Sequence, residues 1–170
     1  GGAVSHSYLG YNTVGGTWEN LRAGFESYNK KITVASAGVL LAVQAYLRAR
    51  SDTVAAFGAA IYEDNSGATG KLIAVNAAGP VNDTMLLSAV AAGTNGPGRW
   101  LSFPMSLYLT PGDYWIALWV RDGDGHDIAV DTTGGSDTRH NTGNAWMAGG
   151  DRYTPTTTTK QYSIRASMLS

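Results

Sequence analysis

The densest group of side chains able to hold a metal is Asp122-Gly123-Asp124-Gly125-His126-Asp127, followed by Asp131. Carboxylate oxygens this close together are the hard ligands that Ca²⁺ takes. An EF-hand loop needs an oxygen ligand at its fifth position and a glutamate at its twelfth; here the fifth is His126 and no glutamate follows. Alternating aspartate and glycine also suits a tight hairpin, because both tolerate left-handed backbone. The hairpin is the preferred reading, with Asp122, Asp124 and Asp127 as the alternative metal set, and no cofactor is expected.

Other catalytic patterns are thinner. His6, His126 and His140 are dispersed, form no H-x-H pair and read as surface or loop residues. No G-x-S-x-G elbow places a serine beside a base. A glycosidase needs two carboxylates across a cleft; the only glutamates are Glu19, Glu26 and Glu63, and the sequence does not show whether any of them pairs with an aspartate. Gly93-Thr94-Asn95-Gly96-Pro97-Gly98 lacks the lysine and following helix of a phosphate-binding loop. The chain is therefore read as a non-enzyme, with a small glycan-active enzyme as the third choice.

Aromatic residues are the remaining chemical resource: five tryptophans and nine tyrosines. Trp18, Trp100 and Trp146 stand beside glycine-rich or polar segments, where an indole can stack on the apolar face of a sugar and a residue such as Asn144 can meet its hydroxyls. Plugging the ends of a sandwich or a subunit interface is the competing use of the same residues. Trp115 and Trp119 lie in mid-strand.

These residues need a frame, and the frame reads as β. From Tyr114 onward, alternation places Tyr114, Ile116, Leu118 and Val120 on one face and Trp115, Ala117 and Trp119 on the other. Both faces are apolar, so this strand belongs inside a sheet covered on each side. Residues 39–49 alternate too, with Val39, Leu41, Val43, Ala45 and Leu47 opposite Gln44, Tyr46 and Arg48. A polar connection at 50–54 leads to 55–63, its expected hairpin partner. Asp64-Asn65-Ser66-Gly67 is turn chemistry before a strand at 71–77, and residues 78–98 are weakly patterned, with a strand or helical turn at Met85–Val90. Strand pieces at 100–103 and 107–109 are separated by Pro104, which cannot donate to a central ladder. Thr110-Pro111-Gly112-Asp113 reads as a type II turn. Strands follow at 128–132 and 161–169, the latter with Tyr162, Ile164, Ala166 and Met168 on one face, around a loop-rich segment at 133–160 with a possible strand at Ala145–Met147. The fold class is all-β: one antiparallel β-sandwich domain over 1–170, jelly-roll-like, of about eight strands with little helix. Residues 1–7 read as an extended N-terminal arm.

Composition narrows the partners. A net charge of -1 argues against nucleic acid. No apolar run approaches a membrane span, and no leader is read at Gly1. There are no cysteines, so disulfides and thiolate sites are excluded. Only four lysines protect the sheet edges, which favours assembly.

Tyr8-Leu9-Gly10-Tyr11-Asn12-Thr13-Val14-Gly15-Gly16 resembles the G-x-T-x-[IV]-G-G opening of a β-sandwich domain found in phage and environmental proteins. The succession of Val43–Leu47, Ala60-Ile61-Tyr62-Glu63-Asp64 and Leu109-Thr110-Pro111-Gly112-Asp113-Tyr114-Trp115 resembles it as well. The resemblance spans roughly residues 8–120 and implies an extracellular place on a virion surface, as capsid decoration (cement) or part of a tail fibre. It implies binding to other capsid or tail proteins and homo-oligomers, trimers in particular. It transfers no catalytic residue, because the shared positions are turns and core. The runner-up reading is a carbohydrate-binding module or receptor-binding tip that holds a cell-surface glycan through Trp18, Trp100, Trp146 and Asn144.

Overall fold

The computed structural model describes residues 3–21, 23–50, 54–82, 96–122, 125–135, 138–142 and 155–170. Among them there is no helix, and thirteen strands form two antiparallel sheets. The seven-stranded sheet contains β1 (His6–Gly10), β2 (Thr17–Asn20), β4 (Gly38–Ala49), β7 (Arg99–Leu109), β9 (His126–Asp131), β12 (Gln161–Tyr162) and β13 (Ile164–Leu169). Its path is β1-β13-β4-β9-β12, with β7 also on β4 and β2 also on β9. The six-stranded sheet contains β3 (Ala23–Val34), β5 (Val54–Asn65), β6 (Ala68–Asn82), β8 (Gly112–Asp122), β10 (Thr138–Thr142) and β11 (Thr156–Thr157), in the order β11-β10-β3-β8-β5-β6.

The expected β-sandwich is what forms, and its core follows the period of two. Tyr28, Ile32, Phe57, Ile61, Ile116, Leu118 and Val120 from one sheet meet Val43, Leu47, Phe103, Ile128, Tyr162, Ile164 and Met168 from the other. The strand with two apolar faces behaves as expected. Ile116, Leu118 and Val120 enter this core, while Trp115, Ala117 and Trp119 join Ala60 and Tyr62 in a second buried cluster on the opposite face of the six-stranded sheet. The two indoles satisfy their N–H groups there: Trp119 Nε1 donates to the Tyr62 hydroxyl and Trp115 Nε1 to Asp64 Oδ1, both at 2.8 Å. Their role is packing.

Several local expectations are corrected. Residues 55–63 are not the hairpin partner of 39–49: β4 and β5 lie in different sheets, and β5 pairs with β6 and β8. Nor does Asp122–Asp127 close a hairpin, since β8 ends in one sheet and β9 begins in the other. The same turn chemistry reverses the chain in either case, and the choice of sheet depends on where the next apolar face finds a partner. Trp100–Phe103 and Leu107–Leu109 form one strand through Pro104. Among the described residues strand β7 pairs with β4 alone, and Pro104 faces a register shift between Leu40 and Ala42, so the missing donor is tolerated. That bulge also breaks the alternation in β4: Leu40 is buried, whereas Val39 and Leu41 are half-exposed. By contrast, the β5–β6 turn forms where expected. Ser66 (φ 52°) and Gly67 (φ 86°) supply the two positive φ values of a two-residue hairpin loop.

Residues 1–7 are not a free arm where they are described. Ser5 exchanges backbone hydrogen bonds with Ser170, and β1 pairs with β13 along its length. The segment read as loop-rich, 133–160, contributes β10 and β11 to the six-stranded sheet. The expectations for Met85–Val90 and Ala145–Met147 lie outside the described residues.

The Gly15-Gly16 opening has a structural explanation. Gly15 N donates to Ser163 Oγ and Gly16 N to Asp131 Oδ1, each at 2.9 Å, and the Tyr11 hydroxyl donates to Asp131 Oδ2. A Cβ on Gly15 would stand 2.3 Å from the Val130 carbonyl carbon, so the backbone approaches β9 as only glycine permits.

Candidate ligand-binding face

Because alternate residues of the seven-stranded sheet fill the core, the intervening ones share its outer face. These are His6 and Tyr8 of β1, Arg165 and Ser167 of β13, Gln44, Tyr46 and Arg48 of β4, Trp100 and Ser102 of β7, and Trp18 of β2. The sheet order turns them into a continuous band. The Trp100 ring meets Tyr46 edge-on at 5.4 Å, and Tyr46 lies 6.0 Å from Trp18. The Arg48 guanidinium sits 4.4 Å above the Trp18 ring. In the other direction the Arg165 guanidinium lies 3.9 Å from the Trp100 ring and 3.8 Å from that of Tyr8, which meets His6 edge-on at 4.7 Å. Two aromatic residues expected to bind ligand, Trp18 and Trp100, are thus brought together, with Tyr46 bridging them.

The band is lined with polar groups. Gln44 Nε2 donates to Ser102 Oγ, and Arg165 Nε donates to Gln44 Oε1, both at 2.6 Å. Arg165 Nη1 also donates to Asn12 Oδ1, and His6 Nε2 lies 2.7 Å from Ser167 Oγ. Pro97-Gly98 closes one side. Gly98 holds a φ of 83°, its carbonyl accepts from the Tyr46 hydroxyl at 3.2 Å, and a Cβ there would stand 2.7 Å from the Trp18 ring and 2.8 Å from Tyr46. The segment dismissed as a phosphate loop therefore ends as a wall of the aromatic band.

Arg48 is held in place from below. Asp127 is fully buried, and its carboxylate accepts from Arg48 Nε at 2.7 Å and Arg50 Nε at 2.6 Å. Of the alternative metal set, Asp127 is therefore an ion-pair partner in β9, while Asp122 ends β8 in the other sheet. Asp124, Asn144 and Trp146 lie outside the described residues. Among the described residues, no three His, Asp or Glu side chains gather as a metal site would require. His126, expected at the surface, is buried at the start of β9 with its ring 5.4 Å from Phe57.

Glu19 and Glu26 both act on one pair of tyrosines, Tyr28 and Tyr162. The Tyr28 hydroxyl donates to Glu26 Oε2 at 2.8 Å, Tyr28 and Tyr162 meet edge-on at 4.7 Å, and Lys160 pairs with Glu19. Burial, reinforced by these carboxylates, pushes both tyrosine hydroxyls far above their ordinary pKa. At neutral pH they are donors, not nucleophiles. Glu26 is buried in β3, and Glu63 is exposed on β5 of the same six-stranded sheet. A cavity of about 160 Å³ beside Leu9, Val34 and Met168 contains no acid or base and is small for a substrate.

Sequence reasoning found Trp18 and Trp100 but missed Tyr8, Asn12 and Arg165, which come from opposite ends of the chain. Tyr46 and Gln44 were visible on the polar side of β4, though not as part of a site. No family model, curated protein or solved structure matches the chain.

Proposed function

We propose that this protein is a non-enzymatic recognition domain that holds a saccharide on the outer face of its seven-stranded sheet. The observation that carries this reading is the band of Tyr8, Trp100, Tyr46 and Trp18 along one exposed sheet face, interleaved with arginine and amide side chains. Aromatic rings present apolar area at little conformational cost, and the adjoining amides and hydroxyl suit sugar hydroxyls. A virion-surface receptor-binding tip would combine this face with the family resemblance of the sequence.

A glycan array followed by titration tests it. Specific saccharide binding that Trp100→Ala and Trp18→Ala each weaken, with melting behaviour retained, supports the reading. Silence across the array refutes it.

A second reading, decoration of a capsid or tail by protein–protein contact, is favoured by exposed apolar side chains near sheet margins: Val4, Val14 and, on the edge strand β6, Val75. It calls for a homo-oligomer, with a trimer suggested by the resemblance. Light scattering of the free protein and binding to emptied capsids check it, and a monomer that binds glycan but no virion component sets it aside.

A further inference from the structure

Arg165 differs from the other cations around the band. Arg48 and Arg50 share the Asp127 carboxylate, and Lys160 has Glu19. Arg165 is half-buried between β1 and β7, stacked against both Tyr8 and Trp100, and its two hydrogen-bond acceptors, on Gln44 and Asn12, are neutral amides. Among the described residues no carboxylate pairs with it. A guanidinium stays charged at neutral pH, and a partly desolvated charge without a counter-ion is unfavourable unless something else compensates it. Two rings and two amides fix its plane, and these bonds use two of the roughly five N–H donors of an arginine. The remaining donors form part of a planar fork whose natural complement is a carboxylate.

From this we infer that the saccharide held on this face is acidic: a sugar carboxylate accepts from Arg165 while the apolar face of a sugar ring stacks on the adjoining aromatic band. The inference rests on the saccharide-binding reading and adds the ligand's charge. It also explains why the arginine lies among aromatic rings rather than beside an aspartate. A preformed, stacked guanidinium loses little freedom on binding, so its charge-assisted hydrogen bonds contribute to affinity with little reorganisation.

The test is tryptophan-fluorescence titration of the full chain with oligogalacturonate, the same oligomer methyl-esterified, a neutral galactan oligomer, oligosialic acid and inorganic phosphate. The expected result is binding of at least one acidic oligomer. The methyl ester should bind about ten- to a hundredfold more weakly than its parent acid wherever the parent binds, as expected for loss of a hydrogen bond to a charged group. Arg165→Gln should abolish the preference for acid and leave residual neutral-sugar binding. Arg165→Lys, which keeps the charge but not the planar fork, should recover only part of the preference. Thermal melts of both variants separate lost recognition from lost folding. Neutral and acidic oligomers binding equally well, or a preference that survives Arg165→Gln, overturns the inference while leaving the saccharide reading intact. Displacement of the acidic oligomer by equimolar phosphate also overturns it, by assigning Arg165 to any small anion. If no saccharide binds, both readings fall.

Discussion

Replacing Asp127 by alanine removes the acceptor that Arg48 and Arg50 share beneath the aromatic band. Each arginine makes a charge-assisted hydrogen bond of ordinary length to a carboxylate with no solvent exposure. Such bonds contribute about 1.5–3 kcal/mol each, which bounds the loss at roughly 3–6 kcal/mol. The arginine side chains are 19% and 31% exposed, so both can regain water once released. Rehydration lowers the expected loss to about 3 kcal/mol, at the lower end of what breaking a buried ion pair costs. For a domain of this size that corresponds to a fall of about 6–12 °C in melting temperature. Asymmetry sharpens the test. Arg50→Ala alone leaves Arg48 on the carboxylate and should cost only about 1–2 kcal/mol. The Arg48→Ala/Arg50→Ala double variant strands a buried carboxylate with neither partner, and should be at least as damaging as Asp127→Ala. Denaturant melts of the four proteins check this order. Asp127→Ala also frees the guanidinium above Trp18, so tryptophan emission should change in the native state. A melting temperature within about 2 °C of the parent protein, or a double arginine variant milder than Asp127→Ala, would refute the clamp.

Four further outcomes follow from the structure. Leu118→Asp should prevent folding, since it places an unpaired charge in the middle of the core, and circular dichroism that retains a β spectrum would contradict this. Gly98→Ala should weaken saccharide binding and destabilise the domain, because it combines a φ of 83° with a Cβ inside contact distance of Trp18 and Tyr46; titration and melting measure the two effects. Stability should fall as pH rises beyond about 10: Tyr28, Tyr62 and Tyr162 have folded pKa values raised chiefly by burial, so the native state keeps protons that the unfolded chain releases. Their contribution is fully present below the ordinary tyrosine pKa and is lost toward the folded value at up to about 1.4 kcal/mol per pH unit for each tyrosine, and alkaline melts that stay flat would contradict it. Adding EDTA should leave the melting temperature unchanged, because Asp127 is engaged by two arginines; a calcium-dependent rise would reverse that assignment.

Local patterning determined a great deal here. Period-two alternation is a property of the strand itself, so the burial of Ile116, Leu118 and Val120 on one side and Trp115 and Trp119 on the other was legible without any partner. So was the inward row of Tyr162, Ile164, Ala166 and Met168, and so was the turn at Ser66-Gly67. Turn chemistry, however, encodes only that the chain reverses. Whether it re-enters the same sheet, as after β5, or crosses to the other, as after β4 and β8, depends on which exposed apolar face is still uncovered. That is a property of the whole sandwich, and it is why both expected hairpins became crossings. The same reason hid most of the candidate site. Trp18 and Trp100 announce themselves by residue type, but their neighbours Tyr8, Tyr46 and Arg165 stand on β1, β4 and β13, and only the pairing of β13 between β1 and β4, with β7 on the far side of β4, lays them side by side.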